Sequence, residues 1–300
     1  MSNFDPEILR HLRSGLGDRA EVAVSAAMSG AQRLADKWDV EVDGWLPGAT
    51  CSLILTGSRR GQDLVLRVPV TEWEIEESLP ALLAFAGRGG VEILESDAAT
   101  GAALMPRLRP GTTLNEASED EAVEAIIGLV SRIRGTAGSG MPVSEYLQPT
   151  LEMQPLPSSL RPNLAADTAR LTRWMIDTSP PAEWLHGDLH HFNVLRHGDA
   201  WVAIDPEGMS GDPAYEWAAF MRNPVPRFAD DPMLVDILRR RILRFSEATG
   251  DAPERIWGWS MVRTAQCVSW SDVSPFHAPW TKVVAALDAL WPEFSPIPTS

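Results

Sequence analysis

The stretch from residue 184 to residue 216 contains three oxygen-bearing side chains at a spacing that suits phosphoryl transfer. Asp188 precedes Asn193 by five positions, and Asp205 follows the next two apolar runs. One carboxylate can accept the proton of an attacking hydroxyl group. An amide oxygen and a second carboxylate can hold the Mg²⁺ that bridges nucleotide phosphates, because this cation prefers oxygen ligands. These residue types favour transfer of a phosphoryl group to a hydroxyl.

A β-hairpin is predicted to position these side chains. The apolar runs at 194–195 and 201–204 flank a His197-Gly198-Asp199 turn, which is the pattern of two strands joined by a tight connection. Asn193 stands at the entrance of this hairpin and Asp205 at its exit. Because the two ends of a hairpin meet, we expect Asn193 and Asp205 to lie close together.

The remaining sequence predicts two lobes of different character. Residues 36–108 combine short β-rich runs with turn signals, which indicates a mostly antiparallel five-strand sheet with one helix at 72–86. The predicted strands cover residues 40–45, 52–56, 64–68, 91–95 and 102–105. After the break at Pro110-Gly111 the pattern is mainly helical, and Ser118 with Glu121 forms a predicted capping box. We expect an α+β fold with an N-lobe over 1–108, including an N-terminal helix, and a C-lobe over 109–300.

Composition excludes several classes of protein. The chain of 300 residues carries a net charge of −15, which argues against nucleic acid or an anionic membrane as a partner and favours a cationic ligand. Hydrophobic content of 44% excludes wholesale disorder. Two cysteines are too few for a disulfide framework, and the N-terminus lacks the apolar region of a signal peptide. We expect a cytoplasmic protein.

The central segment resembles a known family through the motifs HGDLHHFNVL (186–195), WVAIDPEG (201–208) and GDPAYE (211–216), closed by Arg222-Asn223-Pro224. It is similar to the aminoglycoside phosphotransferases, within them the streptomycin 6-kinase and hydroxyurea phosphotransferase group, and the similarity covers most of residues 40–275. The resemblance implies a two-lobed protein-kinase-like fold, ATP or another nucleoside triphosphate, Mg²⁺, and a small molecule as hydroxyl acceptor. By position it makes Asp188 the catalytic base and Asn193 and Asp205 the metal ligands.

The resemblance also implies a nucleotide site in the N-lobe. Adenine would contact the backbone at 105–108, and the loop at 46–52 would cover the phosphates. Arg67 stands on the third strand where the family normally has a lysine paired to a helix glutamate, and Glu77 is our choice of partner. The residues assigned to the nucleotide are Gly48, Thr50, Ser52, Arg67, Glu77, Met105, Arg107 and Leu108. Plain turn residues in the loop and a solvated acidic helix face are the alternatives.

An acceptor site is predicted in the C-lobe, beside Asp188. Helical spacing puts four side chains of the helix from Pro253 on one face, and several carboxylates follow Asp205. The assigned residues are Glu207, Glu216, Trp259, Arg263, Gln266, Trp270 and Asp272. They favour a cationic, aminoglycoside-like acceptor. Core packing is the alternative for the helix face, and a structural anchor is the alternative for acids such as Asp212.

Three other interpretations stay open. Arg67 in place of lysine is compatible with a nucleotide-binding protein that lacks turnover, and the acceptor is compatible with a small metabolite that is not an antibiotic. His186, His190 and His191 could indicate a metallohydrolase, but the sequence shows no second ligand cluster. His186 is expected to hydrogen-bond backbone behind the catalytic loop.

Overall fold

The computed structural model describes residues 12–13, 17–46, 51–71, 76, 78–151, 156–270 and 275–300, without the side chains of residues 151 and 270. By contacts the chain divides into two units. The first comprises Met1–Gly111 with Arg196–Glu207, and the second comprises Thr112–Leu195 with Gly208–Ser300. The predicted boundary at residues 108 and 109 stays a prediction. Residues 196–207, assigned above to the C-lobe, pack with the first unit.

The first unit contains the predicted five-strand antiparallel sheet, in the order β1-β2-β3-β5-β4. Its strands are β1 (Glu41–Trp45), β2 (Ser52–Arg59), β3 (Gln62–Pro69), β4 (Glu95–Asp97) and β5 (Ala102–Pro106). Helix α1 (Ala20–Lys37) precedes the sheet and α2 (Leu79–Phe85) follows β3. Residues 1–11, 14–16, 72–75 and 77 of the two predicted helices lie outside the described residues.

Alternation along β3 decides which residues meet which helix, because successive strand side chains point to opposite faces. Leu64, Leu66 and Val68 pack with Leu34 and other residues of α1. Val65 packs on the other face with residues of α2, and Arg67 has the same parity as Val65. The sequence thus places one cation on the α2 face of a buried strand.

The fourth strand is found later than predicted. Residues 91–95 have the alternating pattern, but β4 begins only at Glu95. The Val91 amide donates instead to the carbonyl of Ala203, at 2.9 Å. A backbone bond to the end of the hairpin therefore replaces sheet pairing at the start of this run.

The second unit is mainly helical, as predicted. Its helices are α3 (Glu119–Ile133), α4 (Val143–Tyr146), α5 (Gln148–Leu151), α6 (Leu164–Asp177), α7 (Ala218–Met221), α8 (Leu234–Thr249), α9 (Pro253–Trp270), α10 (His277–Ala289) and α11 (Trp291–Phe294). Ser118 caps α3, since its Oγ accepts a bond from the Glu121 amide at 3.3 Å. In the described part of the chain, no helix combines the length and apolar character needed to span a membrane.

Short strands flank or lie within the segment from Asp188 to Asp205. They are β6 (Pro110–Thr113), β7 (Met141–Pro142), β8 (Glu183–Leu185), β9 (Val194–His197), β10 (Ala200–Ala203) and β11 (Met209–Gly211). Strands β9 and β10 form the predicted hairpin, with Gly198 at φ +55 in its turn. Sequence reasoning missed β6, β7, β8 and β11, because runs of two to four residues carry too little alternation to be recognised.

Candidate active site

The loop between β8 and β9 is held in place by a buried carboxylate. Glu216 is 3% exposed and accepts the backbone N–H of His186 at 2.7 Å and of Gly187 at 3.1 Å. Gly187 has φ +85, a left-handed conformation that glycine adopts without steric cost. Glu216 therefore fixes the turn that leads into Asp188.

The burial of Glu216 corrects its predicted place among the acceptor residues. Burial raises the pKa of Glu216 from 4.5 to about 7, although the two backbone N–H groups favour its charged form. Both carboxylate oxygens are used in the loop, so the side chain positions backbone and does not line an acceptor site.

Asp188 is the focus of hydrogen bonds in this loop. Its Oδ1 accepts a bond from Nη2 of Arg222 at 2.8 Å. Its Oδ2 lies 3.2 Å from Nδ2 of Asn193 and 3.3 Å from Nε2 of His190. Asn193 also donates to the backbone carbonyl of Asp188 at 3.0 Å, so the five-residue spacing closes a small loop on itself.

The charges around Asp188 keep it ionised. Burial raises the pKa of this carboxyl, but His190, Arg222 and Arg263 lower it by more, so it lies well below its usual range. An ionised carboxylate can accept a hydrogen bond from an incoming hydroxyl group.

Two of the three histidines of this loop accept hydrogen bonds from backbone amides. Nδ1 of His190 accepts the Phe192 amide at 3.2 Å, and Nδ1 of His186 accepts the Asp188 amide at 3.4 Å. The predicted structural role of His186 is thus confirmed. His191 is buried and stacks on Phe220 with ring centroids 4.2 Å apart. Among the residues that the structure describes, no group of three His, Cys, Asp or Glu side chains is placed to hold a metal ion.

In the first unit, Arg67 and Asp205 form an ion pair. Arg67 is 2% exposed, and its Nη2 lies 3.2 Å from Oδ1 of Asp205. Asp205 has φ +57, which aspartate tolerates better than most residues, and about half of its side chain is exposed. Glu77, the partner predicted for Arg67, lies outside the described part of the chain.

The other predicted nucleotide residues are placed unevenly. Ser52 and Met105 are buried, while Leu108 is partly buried. The backbone N–H of Arg107 donates to the carbonyl of Asp63 at 2.9 Å, so the expectation that it contacts adenine is wrong for this amide. Gly48 and Thr50 lie outside the described residues.

The predicted acceptor face of α9 is buried within the second unit. Trp259 is 1% exposed, and its Nε1 donates to Oδ2 of Asp212 at 2.6 Å. Arg263 donates to the hydroxyl of Tyr146 at 2.7 Å, and Gln266 donates to the Tyr146 carbonyl at 3.2 Å. Helical spacing correctly placed these side chains together, but they pack inside the unit rather than line an open acceptor surface.

Two of the remaining acceptor residues lie outside the description. Asp272 is not described, and neither is the side chain of Trp270, while Glu207 is partly buried in the first unit.

The important residue that sequence reasoning missed is Arg222. Its only signal was its position in the Arg-Asn-Pro run that closes the motif block.

The donor chemistry of the two predicted metal ligands fits Mg²⁺. Because Asn193 uses Nδ2 to hold Asp188, its amide oxygen is the atom left to bind a cation. Asp205 presents a half-exposed carboxylate. Asn193 directly precedes β9 and Asp205 follows β10, and both supply the hard oxygen atoms that this cation selects.

The sequence of this chain is similar to those of known kinases. A family model described as aminoglycoside/hydroxyurea antibiotic resistance kinase matches residues 37–274. The streptomycin 6-kinase of Streptomyces glaucescens is 27% identical over 268 residues, covering 85% of this chain and 86% of that protein. The hydroxyurea phosphotransferase of Kitasatospora aureofaciens is 29% identical over 247 residues, covering 78% and 70%.

Solved structures of two small-molecule kinases share the fold. The choline kinase LicA from Streptococcus pneumoniae gives a TM-score of 0.62 at 14% identity, covering 86% of this chain and 97% of that chain. The aminoglycoside phosphotransferase APH(4)-Ia, in a ternary complex with ADP and hygromycin B, gives 0.59 at 16% identity, covering 87% and 97%. The predicted protein-kinase-like fold is confirmed.

Proposed function

Because the chain belongs to the aminoglycoside/hydroxyurea antibiotic resistance kinase family and is a small-molecule phosphotransferase with an alcohol acceptor, we propose that it uses ATP and Mg²⁺ with Asp188 as its base. The observation that carries this proposal is the bond from Nδ2 of Asn193 to Oδ2 of Asp188 at 3.2 Å. It joins the two residues whose spacing first indicated phosphoryl transfer.

The proposed reaction is an in-line displacement. The acceptor hydroxyl donates its proton to the carboxylate of Asp188 as its oxygen forms a bond to the γ-phosphorus. The bond between that phosphorus and the oxygen bridging to the β-phosphate breaks, and ADP leaves. Asn193, His190 and Arg222 hold the carboxylate in one orientation throughout, which keeps the base aligned with the acceptor.

Asn193 and Asp205 would hold Mg²⁺, which neutralises charge on the nucleotide phosphates when bound. Arg67 is proposed to steady the α- and β-phosphates. It is a buried cation already paired to one proposed metal ligand, and its guanidinium suits bidentate phosphate contacts. Ser52, Met105 and Leu108 remain proposed nucleotide contacts, as do Gly48, Thr50 and Glu77.

We propose a cationic, aminoglycoside-like acceptor in the cytoplasm. The support is the net charge of −15 and the streptomycin kinases among the relatives. Asp212 and Glu216 do not add to it, because both are buried and engaged by backbone N–H groups. A metabolite that is not an antibiotic is the second candidate, favoured by the cations Arg222 and Arg263 around Asp188.

The test combines nucleotide binding with an acceptor panel. Mg-ATP should raise the melting temperature, and ADP release should depend on acceptor when aminoglycosides, neutral sugars, amino alcohols and hydroxyurea are compared. For a cationic acceptor, KM should rise with salt more than for a neutral one, because charges are screened over ~8 Å at physiological ionic strength. Binding of Mg-ATP without turnover of any acceptor would support a nucleotide-binding protein instead.

A further inference from the structure

The hydrogen bonds of Asp188 leave one of its two carboxylate oxygens able to receive a hydrogen bond from the hydroxyl group of the acceptor substrate. An ionised carboxylate offers about four lone-pair positions, two on each oxygen. Within the described residues, Oδ2 receives a hydrogen bond from Asn193 and lies 3.3 Å from Nε2 of His190, whereas Oδ1 receives only Arg222. The free position is therefore on Oδ1, next to the guanidinium of Arg222.

The geometry of His190 supports this count. Its Nδ1 accepts the amide of Phe192 at 3.2 Å, so Nδ1 must present a lone pair. A neutral imidazole with a lone pair on Nδ1 carries its hydrogen on Nε2. The 3.3 Å contact between Nε2 and Oδ2 of Asp188 therefore places a hydrogen-bearing nitrogen beside that oxygen.

Arg222 has a second donor beside this open position. The side chain is 6% exposed, and Nη2 holds Oδ1 of Asp188. Its Nη1 is buried and has no hydrogen-bond partner among the residues that the structure covers. A buried N–H group without a partner costs free energy. The guanidinium is planar and rigid, so its two terminal nitrogens can bind two neighbouring atoms of one ligand.

We infer that the acceptor binds through two neighbouring oxygens, with its reacting hydroxyl on Oδ1 of Asp188 and an oxygen of the adjacent carbon on Nη1 of Arg222. This inference rests on the proposed function. The reacting hydroxyl passes its proton to Oδ1 and forms the bond to the γ-phosphorus, while the bond to the departing ADP breaks. The second oxygen only accepts a hydrogen bond.

This arrangement selects a chemical class. A vicinal diol, or a hydroxyl beside a carboxylate or an ether oxygen, satisfies both contacts. An isolated alcohol leaves Nη1 without a partner. An ammonium group on the neighbouring carbon has only hydrogen-bond donors. Its positive charge would also repel the positive guanidinium that it faces. A cationic acceptor fits when its charge lies farther from the reacting hydroxyl.

Three small acceptors that differ at one carbon test the inference: trans-cyclohexane-1,2-diol, cyclohexanol and trans-2-aminocyclohexanol. Acceptor-dependent ADP release and the mass of the phosphorylated product are measured with saturating Mg-ATP. We expect kcat/KM for the diol to exceed that for cyclohexanol by about 10- to 100-fold, which is the effect of one hydrogen bond to a charged donor. The amino alcohol should be the poorest.

Equal use of cyclohexanol, preference for the amino alcohol, or turnover of none of the three by an enzyme that binds Mg-ATP would overturn the inference. Failure to bind Mg-ATP would count against the proposed function instead. The wild-type comparison is complete in itself and does not depend on any variant being folded.

Arg222→Lys separates recognition from a structural role. Lysine keeps a cation beside Asp188 but offers no planar fork, so the ratio of diol to cyclohexanol should fall to within about 3-fold of unity. A purely structural arginine would lower both rates together and leave the ratio unchanged, which would contradict the inference. Arg161→Lys is the control, because Arg161 pairs with Asp288 at 2.7 Å and has no bond to Asp188. It should keep the ratio.

Discussion

The guanidinium of Arg67 lies 3.2 Å from the carboxylate of Asp205, so a buried cation of β3 is paired with the proposed metal ligand that follows β10. In this pair one partner is 3% exposed and the other 51%. The cation is fixed by the sheet, whereas the carboxylate still faces solvent. The proposed role of Asp205 as a metal ligand requires such a solvent-facing carboxylate.

Substitution of Arg67 tests its proposed phosphate contact. Arg67→Ala should weaken Mg-ATP binding at least 10-fold, because it removes the cation, whereas Arg67→Lys should keep or improve ATP use. Isothermal titration calorimetry measures both. Arg109→Ala is the control, since Arg109 forms an exposed ion pair with Asp63 in the same unit. Unchanged affinity in Arg67→Ala would remove this residue from the nucleotide site.

Asp205→Asn tests the metal ligand without disturbing the backbone. Asparagine tolerates the φ of +57 at least as well as aspartate, but it lacks the negative charge. We expect Mg-ADP affinity to fall at least 10-fold, with little change in affinity for ADP measured in EDTA. If both affinities are equal to those of the wild type, the assignment of Asp205 is wrong.

Glu216→Gln should flatten the pH dependence of stability. The native pKa of Glu216 is raised from 4.5 to about 7, so the folded state holds a proton that the unfolded state has released between these values. The free energy of unfolding therefore falls as pH rises from about 4.5 to about 7, by on the order of 3 kcal/mol. Urea unfolding at pH 5 and pH 8 measures this fall.

The glutamine variant cannot titrate, so its stability should change less between the two pH values. It should also be less stable at pH 5 by about 1–3 kcal/mol, since an amide offers one acceptor where His186 and Gly187 need two. The exposed Glu247→Gln is the matched control. An unchanged pH slope in Glu216→Gln would contradict the burial argument.

Trp259→Phe distinguishes packing from acceptor binding. It removes the hydrogen bond from Nε1 to Asp212 and should lower the free energy of unfolding by about 1.5–3 kcal/mol, because the group that receives this bond is a buried carboxylate. Acceptor KM should stay the same. A raised KM with unchanged stability would restore Trp259 to the acceptor site.

Sequence reasoning succeeded where the determining contacts are local. The five-residue spacing singles out Asp188 and Asn193, and the structure joins these two residues by a hydrogen bond. The hairpin and the cap at Ser118 are also local, since each depends on adjacent turn or helix-start residues. The five-strand sheet followed from alternation of apolar residues.

It failed where contacts join distant parts of the chain. Arg222 reaches Asp188 across 34 positions, and Glu216 reaches Gly187 across 29, with no periodic signal that links them. The face of α9 was correctly grouped, yet helical spacing describes which side chains share a face and not what covers that face. Trp259 is covered by Asp212, which only the folded chain reveals.

The most direct measurement compares Asp188→Asn with the wild type in Mg-ATP binding and acceptor-dependent ADP release, using the best acceptor of the panel. The amide would place an NH₂ among donors from Arg222 and Asn193, so we expect a folded protein of reduced stability, checked by circular dichroism. The account predicts Mg-ATP affinity within about 3-fold of the wild type and kcat lower by about 10²–10⁴. Wild-type turnover in this variant would contradict the role of Asp188 as the base.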